Sequence, residues 1–326
     1  MKIGLAAVVL MAASLGSDIT VAAGDACLAT ANAMARACRF EAVDDYHKST
    51  AFCENEEDVR GCIDAAASAR NETFAECEEV LSERGNVCRT LGPAKYDPPF
   101  GEDHARQFVD PRAIGRTVQP NPYMPRIQGA HWVYQKPVVD EDGERVMETV
   151  TVTVTNRTKL IDGVRCRVVR DVVMVDDELV EDTDDWLAQD RSGNVWYCGE
   201  EVKDYEYTEG DRPELPELVS RDGSFKAGQG GAKAGILMFA APQVGVTYRE
   251  EADWGNAEDL SEVISTTASA RARAVSCQGT YLKLRAFTPV EPGINGYKFY
   301  APGIGSILEI SHSGERLELV RYSIPR

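Results

Sequence analysis

The sequence predicts a mainly β protein with an N-terminal α part. A disulfide-laddered antiparallel helical hairpin is followed by an antiparallel, curved, half-barrel-like β-domain. Three observations predict it. Six early cysteines form nested pairs whose positions share one sum: Cys27 with Cys88, Cys38 with Cys77, and Cys53 with Cys62 each give 115. A proline-dense stretch follows. Beyond it, turn signals separate short runs rich in Val, Thr and aromatic residues, the pattern of an antiparallel meander.

Met1-Lys2-Ile3, an apolar run from Gly4 to Ala13 and small residues at Val21-Ala22-Ala23 have the layout of an export signal over residues 1–23. That run is too short to span a bilayer. The expected location is periplasmic or extracellular, where disulfides persist.

A constant sum means that two chain segments run antiparallel about one midpoint. The arms of 24–92 are rich in Ala, Arg and Glu, which favours helix. The polar run Glu54 to Gly61 supplies the turn between them. Along each arm the cysteines are 11 and 15 residues apart, rotations of about 20° and 60°, so they stay on one side of a helix. Disulfides draw Cα atoms to roughly 5.5 Å, closer than ordinary helix packing. Small residues must therefore line the seam, and Ala31, Ala35, Ala42, Ala65, Ala66 and Ala69 are the candidates. The rival reading is thiolate ligation of a metal, which favours CxxC-like clusters; none is present.

Residues 93–126 hold Pro93, Pro98, Pro99, Pro111, Pro120, Pro122 and Pro125, too many for helix or strand to continue. Tyr96, Phe100, Phe108 and Tyr123 are interleaved, so this linker is expected to lie against the β-domain of 127–326. There, Asp142-Gly143 and Asp162-Gly163 read as two-residue hairpin turns. They would pair Trp132 with Thr153, Tyr134 with Thr151, Thr153 with Val172 and Thr151 with Met174. One face would then hold Trp132, Tyr134, Val168, Val172 and Met174. The other would hold Val133, Val150, Val152, Val154, Val169, Val173 and Val175. Two apolar faces need a second cover: a further layer, the linker or a ligand.

Glu148 to Asn156 in Thr/Val alternation, Asp182-Thr-Asp-Asp-Trp186, Gly193-Asn-Val-Trp-Tyr197 and Tyr300-Ala-Pro-Gly-Ile-Gly305 resemble the motifs of a family of uncharacterised bacterial secreted proteins. Similar endings occur in exported proteins with LolA-like half-barrel sheets. The resemblance covers residues 95 to 326 and implies a curved sheet. It brings no catalytic residue with it.

Function is constrained mainly by exclusion. A net charge of −18 disfavours nucleic acid and anionic membranes as partners. No G-x-S-x-G or H-E-x-x-H motif occurs, no cofactor is implied, and no catalytic residue is assigned. Asp184, Asp185, Asp190, Glu200 and Glu201 form an acidic group that could hold Ca²⁺ or serve a hydrolase. Cys166, Cys198 and Cys277 are an odd set. An intervening strand separates the first two in a simple meander, so their pairing is left open. The leading expectation is an exported, non-enzymatic binding or carrier module. It would take an apolar small molecule or lipid tail against Trp132, Tyr134, Val168, Val172 and Met174, with the hairpin as a docking arm for a protein partner. The alternatives are an interaction protein with a filled β-domain and a hydrolase.

Overall fold

The computed structural model describes residues 24–139, 143–208 and 210–325, and for 276–279 the backbone alone. The expected signal segment, Asp142 and the Cys277 side chain thus lie outside the described residues. The chain divides into two compact units, 1–95 and 96–326.

The first unit is a helical hairpin, α1 (Ala26–Cys53) and α2 (Val59–Leu91). Each helix starts on an aspartate: Asp25 accepts from the Leu28 N–H and Asp58 from the Gly61 N–H, both at 2.9 Å. These bonds satisfy N–H groups that the first helical turn leaves open. The three rungs Cys27–Cys88, Cys38–Cys77 and Cys53–Cys62 form, with Cα separations of 5.6, 5.9 and 5.5 Å. Ala31, Ala35 and Ala42 are buried in the seam. On α2 the expectation fails in part, because Ala65 and Ala69 are exposed and Ala66 is half-buried. Larger groups meet at that level, where the Arg70 guanidinium lies 4.6 Å from the Tyr46 ring centre. Among the described residues no helix is long and apolar enough to cross a membrane.

The second unit is one antiparallel sheet. Its strands are β1 (His131–Val139), β2 (Arg145–Ile161), β3 (Val164–Val175), β4 (Glu178–Gln189), β5 (Val195–Glu201), β6 (Asp204–Glu206), β7 (Glu217–Ser220), β8 (Phe225–Lys226), β9 (Lys233–Met238), β10 (Thr247–Arg249), β11 (Glu251–Ala252), β12 (Leu260–Ala272), β13 (Val275–Phe287), β14 (Asn295–Ala301), β15 (Gly305–Ile310) and β16 (Arg316–Ser323). The order is β10-β12-β13-β14-β15-β16-β1-β2-β3-β4-β5-β9-β11. The two ends of this path are one chain segment, since β10 and β11 are separated only by Glu250. β10 pairs with β12, and β11 pairs with β9. The sheet is therefore a nearly closed barrel, more complete than a half-barrel. Gly235 on β9 is required at the closure: a Cβ there would lie 2.4 Å from the Glu250 carbonyl oxygen and 2.5 Å from that of Arg249.

Register differs from the sequence reading at two places. Val139 pairs with Arg145, and Trp132 and Tyr134 pair with Val152 and Val150 instead of Thr153 and Thr151. This one-residue slip turns every β1 side chain to the other β2 face. At the second hairpin, Ile161 pairs with Val164 around the Asp162-Gly163 turn. Both turn residues have positive φ, 45° and 78°, as the expected turn type demands. β2 then holds extra residues between Val154 and Thr158, so Thr151, not Thr153, meets Val172 and Thr149 meets Met174. A bulge in one strand shifts all later pairs.

Both sides of β3 to β5 are covered. Inside the ring lies a large core that includes Trp132, Val150, Val154, Val169, Leu187, Leu284, Phe299 and Leu319. Outside, Cys166, Val168, Trp186, Ala188, Trp196 and Cys198 pack with Phe100 and Phe108 of the proline-rich segment. The Phe108 and Trp196 rings meet edge to face at 5.7 Å. The same segment is anchored by Asn121, which is fully buried. Its side-chain oxygen accepts from the N–H groups of Tyr123 and Met124, and its amide donates to the Gly193 carbonyl at 2.8 Å.

Cys166 and Cys198, whose pairing the sequence left open, are disulfide-bonded, with Cα atoms 6.7 Å apart. The bond passes over β4. Two features permit it. Ala188, the β4 residue in the same outer cluster, is small. Between Tyr197 and Gly199, which pair with Leu187 and Trp186, β5 carries one extra residue, Cys198 itself. A bulge bends its strand and re-aims the inserted side chain.

Candidate functional site

One cavity of about 420 Å³ is lined by residues from distant arcs of the barrel: Tyr134, Val150 and Val152 on β1 and β2, Leu187 and Tyr197 on β4 and β5, and Tyr300, Ser306 and Leu317 on β14 to β16. It is therefore the barrel lumen. The proline-rich segment contributes Met124 and Arg126.

Seven carboxylates line this cavity, namely Asp171, Asp185, Glu200, Glu250, Glu251, Asp259 and Glu309, against two cations, Arg126 and Lys298. Asp185 and Glu200 are direct cross-strand partners. Asp171 lies diagonally from Asp185, because Val169 is the partner of Asp185. These three acids form a row across β3, β4 and β5. The Tyr197 hydroxyl donates to Asp185 Oδ1 at 2.6 Å. Burial pushes the Asp185 carboxyl up to about 6, against the opposing pull of Tyr197 and Arg126. Burial and then the Asp185 charge push Glu200 up to about 8. Asp171 is raised well above the carboxylate range by burial and by Asp185, and its Oδ1 is buried without a hydrogen-bond partner.

The second acidic group sits where the barrel closes. Glu250 is buried between β10 and β11 and accepts from the Ser261 hydroxyl. Glu251 is also buried and accepts from the Asp259 N–H at 2.6 Å. Burial raises both carboxyls; for Glu251 the charges of Asp259 and Glu250 add to the effect. Lys298 faces Glu309 across β14 and β15. That carboxylate holds the Lys298 ammonium well above its ordinary value despite burial. Arg126 lies 5.4 Å from the Trp132 ring centre.

Strand alternation splits the acidic group that the sequence presented as one. Asp185 and Glu200 face the lumen, whereas Asp184 and Glu201 pair on the opposite face. There Asp184 meets Arg157 at 2.6 Å, and Glu201 meets Arg221 at 3.2 Å. Asp190 organises a turn: its carboxylate accepts from the N–H groups of Ser192 and Asn194 and from the Trp196 indole at 2.8, 2.9 and 3.0 Å. The five do not converge. Among the described residues no group of three or more His, Cys, Asp and Glu is placed to hold a metal ion.

The five residues expected to line an apolar site also divide. Trp132 and Tyr134 point inward, and Tyr134 lines the cavity. The Trp132 indole donates to the Ile304 carbonyl at 2.7 Å and the Tyr134 hydroxyl to that of Ser306 at 3.1 Å. Val168 belongs to the outer cluster under the proline-rich segment. Val172 and Met174, paired with Thr151 and Thr149, lie on the same outer face. The register slip is the physical reason. Asp171, Glu250, Glu251, Lys298 and Glu309 were not singled out from the sequence. Asp171 had a signal, an acid at an inward position between Val169 and Val173.

Comparison with protein-family profiles, curated proteins and solved structures finds no match. The resemblance read from the sequence therefore rests on its motifs alone. Fold and site define a disulfide-bonded, barrel-like β protein with a polar, strongly acidic lumen.

Proposed function

We propose that this protein is an exported binding module that holds a small, positively charged polar ligand inside its barrel. The observation that carries the reading is the imbalance of seven carboxylates over two cations around one cavity of about 420 Å³. That volume falls within the usual range for small-molecule sites. Carboxyls crowded in a partly dehydrated lumen resist ionising, and a cationic ligand that lets them ionise beside it binds with a gain that apolar ligands cannot supply. The reading keeps the non-enzymatic binding class expected from the sequence and replaces the apolar ligand with a cationic one. Export is supported by four disulfides, which persist in oxidising compartments, and by the layout of residues 1–23.

The hydrolase reading has less support. A glycosidase pair needs one carboxyl ionised and the other protonated. Asp185 and Glu200, raised to about 6 and about 8, meet that condition near pH 7. They are, however, side-by-side neighbours on adjacent strands, and Asp185 already accepts from the Tyr197 hydroxyl, so they do not face each other across a cleft.

A thermal-shift panel at pH 8 tests the proposal. Small organic amines should raise the unfolding temperature by several degrees, since a ligand at 100 times its Kd stabilises by about 2.7 kcal/mol. Neutral sugars, inorganic phosphate and decanoate should leave it unchanged. Stabilisation by decanoate alone would return the assignment to an apolar ligand.

A further inference from the structure

The placement of the acids indicates what kind of cation fits. Lumen carboxylates fall into the row Asp171, Asp185 and Glu200 on β3 to β5 and the group Glu250, Glu251 and Asp259 at the barrel closure. Val150, Val152, Leu187, Leu237 and Leu317 supply apolar wall in the same cavity. Among the described residues no group of three or more His, Cys, Asp and Glu is placed to hold a metal ion, whereas Ca²⁺ takes six to eight oxygen ligands around one centre. The volume, about 420 Å³, also far exceeds that of one ion.

The remaining cations are partly committed. Lys298 is governed by Glu309, with Glu250 and Asp259 as further anionic neighbours. Arg126 acts on Asp171 and Asp185. By contrast, the strongest electrostatic neighbours of Glu200 and Glu251 are other acids and the Tyr197 hydroxyl. An observation independent of the acid count points to the same end of the lumen. Asp171 Oδ1 is buried with no hydrogen-bond partner, and such an oxygen costs free energy until a donor reaches it. Tyr134, Tyr197 and Tyr300 line the cavity as well, and tyrosine faces attract ammonium groups. Lys298 shows that the lumen accommodates a primary ammonium beside a carboxylate.

We infer that the ligand class is a linear organic di- or polyamine, with one ammonium among Asp171, Asp185 and Glu200, another near Glu250 and Glu251, and its methylene chain along the apolar wall. The inference rests on the binding reading above and adds the requirement for two separated charges.

Titration calorimetry of the full mature protein at pH 8 tests it. Cadaverine and spermidine should bind saturably, and n-hexylamine, with one ammonium on a similar chain, at least 10-fold more weakly. Glu200→Gln and Glu251→Gln should each weaken cadaverine at least 10-fold while retaining the β-sheet circular dichroism of the parent. Asp171→Asn provides a second probe of the first cluster should either variant fold poorly. Equal binding of n-hexylamine and cadaverine would overturn the two-charge inference. So would tight Ca²⁺ binding that excludes cadaverine. Binding of arginine without any diamine would overturn the inference and leave the binding reading standing. If no cation binds, both fall.

Discussion

Glu200→Gln is expected to stabilise the protein at pH 8 and to leave its stability unchanged at pH 4. Burial, and then the charge of Asp185, push the Glu200 carboxyl up to about 8 in the fold, from an ordinary value of 4.5. A carboxyl raised in this way contributes stability that is fully present below its unfolded value and is lost as pH rises through the folded value. The window therefore runs from about 4.5 to about 8. At 1.36 kcal/mol per pH unit the upper figure is about 5 kcal/mol. Glu200 is only half-buried, and solvent screening reduces the expected gain to about 2–3 kcal/mol. Asp185, raised to about 6, adds the same sign over a narrower window. The parent should accordingly unfold at a higher temperature at pH 5 than at pH 8, and the variant should flatten that slope. Chemical denaturation at both values measures it. A parent whose stability rises steadily from pH 5 to pH 8 would contradict the lumen electrostatics.

Asn121→Ala is expected to destabilise the barrel by about 3–5 kcal/mol. The side chain is fully buried and holds four backbone groups: the N–H groups of Tyr123 and Met124 and the carbonyls of Gly193 and Met238. Alanine leaves these groups without partners where water does not replace them. Each orphaned buried group costs about 1–3 kcal/mol. Met124 and Arg126, which line the cavity, lie just beyond this anchor. Loss of the anchor should therefore weaken ligand binding along with stability. Urea unfolding gives the first quantity; a change below about 1 kcal/mol would show that the proline-rich segment is held elsewhere.

The sequence made the hairpin legible because six cysteine positions encode both the antiparallel arrangement and its midpoint. The meander was legible from Asp162-Gly163 and the Thr/Val alternation of β2. Register was not. A turn at Asp142-Gly143 and the actual pairing of Val139 with Arg145 differ by one residue, and no local residue pattern distinguishes them. That single slip misassigned Val172 and Met174. The disulfide between Cys166 and Cys198 depends on a bulge at Cys198 and on small Ala188 beneath it, features that exist only once the sheet has curved. The acidic lumen was half legible. Adjacent strand residues face opposite sides, so Asp184 and Asp185 could have been separated in advance. Glu250 and Glu309 could not have been joined to Asp185, because only ring closure through residues 247–252 brings them to one cavity.

The central claim is that a cationic ligand enters a lumen whose acids hold protons they must release. Calorimetry of cadaverine binding at pH 7, in two buffers of different ionisation enthalpy, measures that exchange directly. With Glu200 half or more protonated in the empty protein, and ionised beside an ammonium, roughly one proton should be released per ligand bound. Binding without proton release, or with proton uptake, would contradict the account.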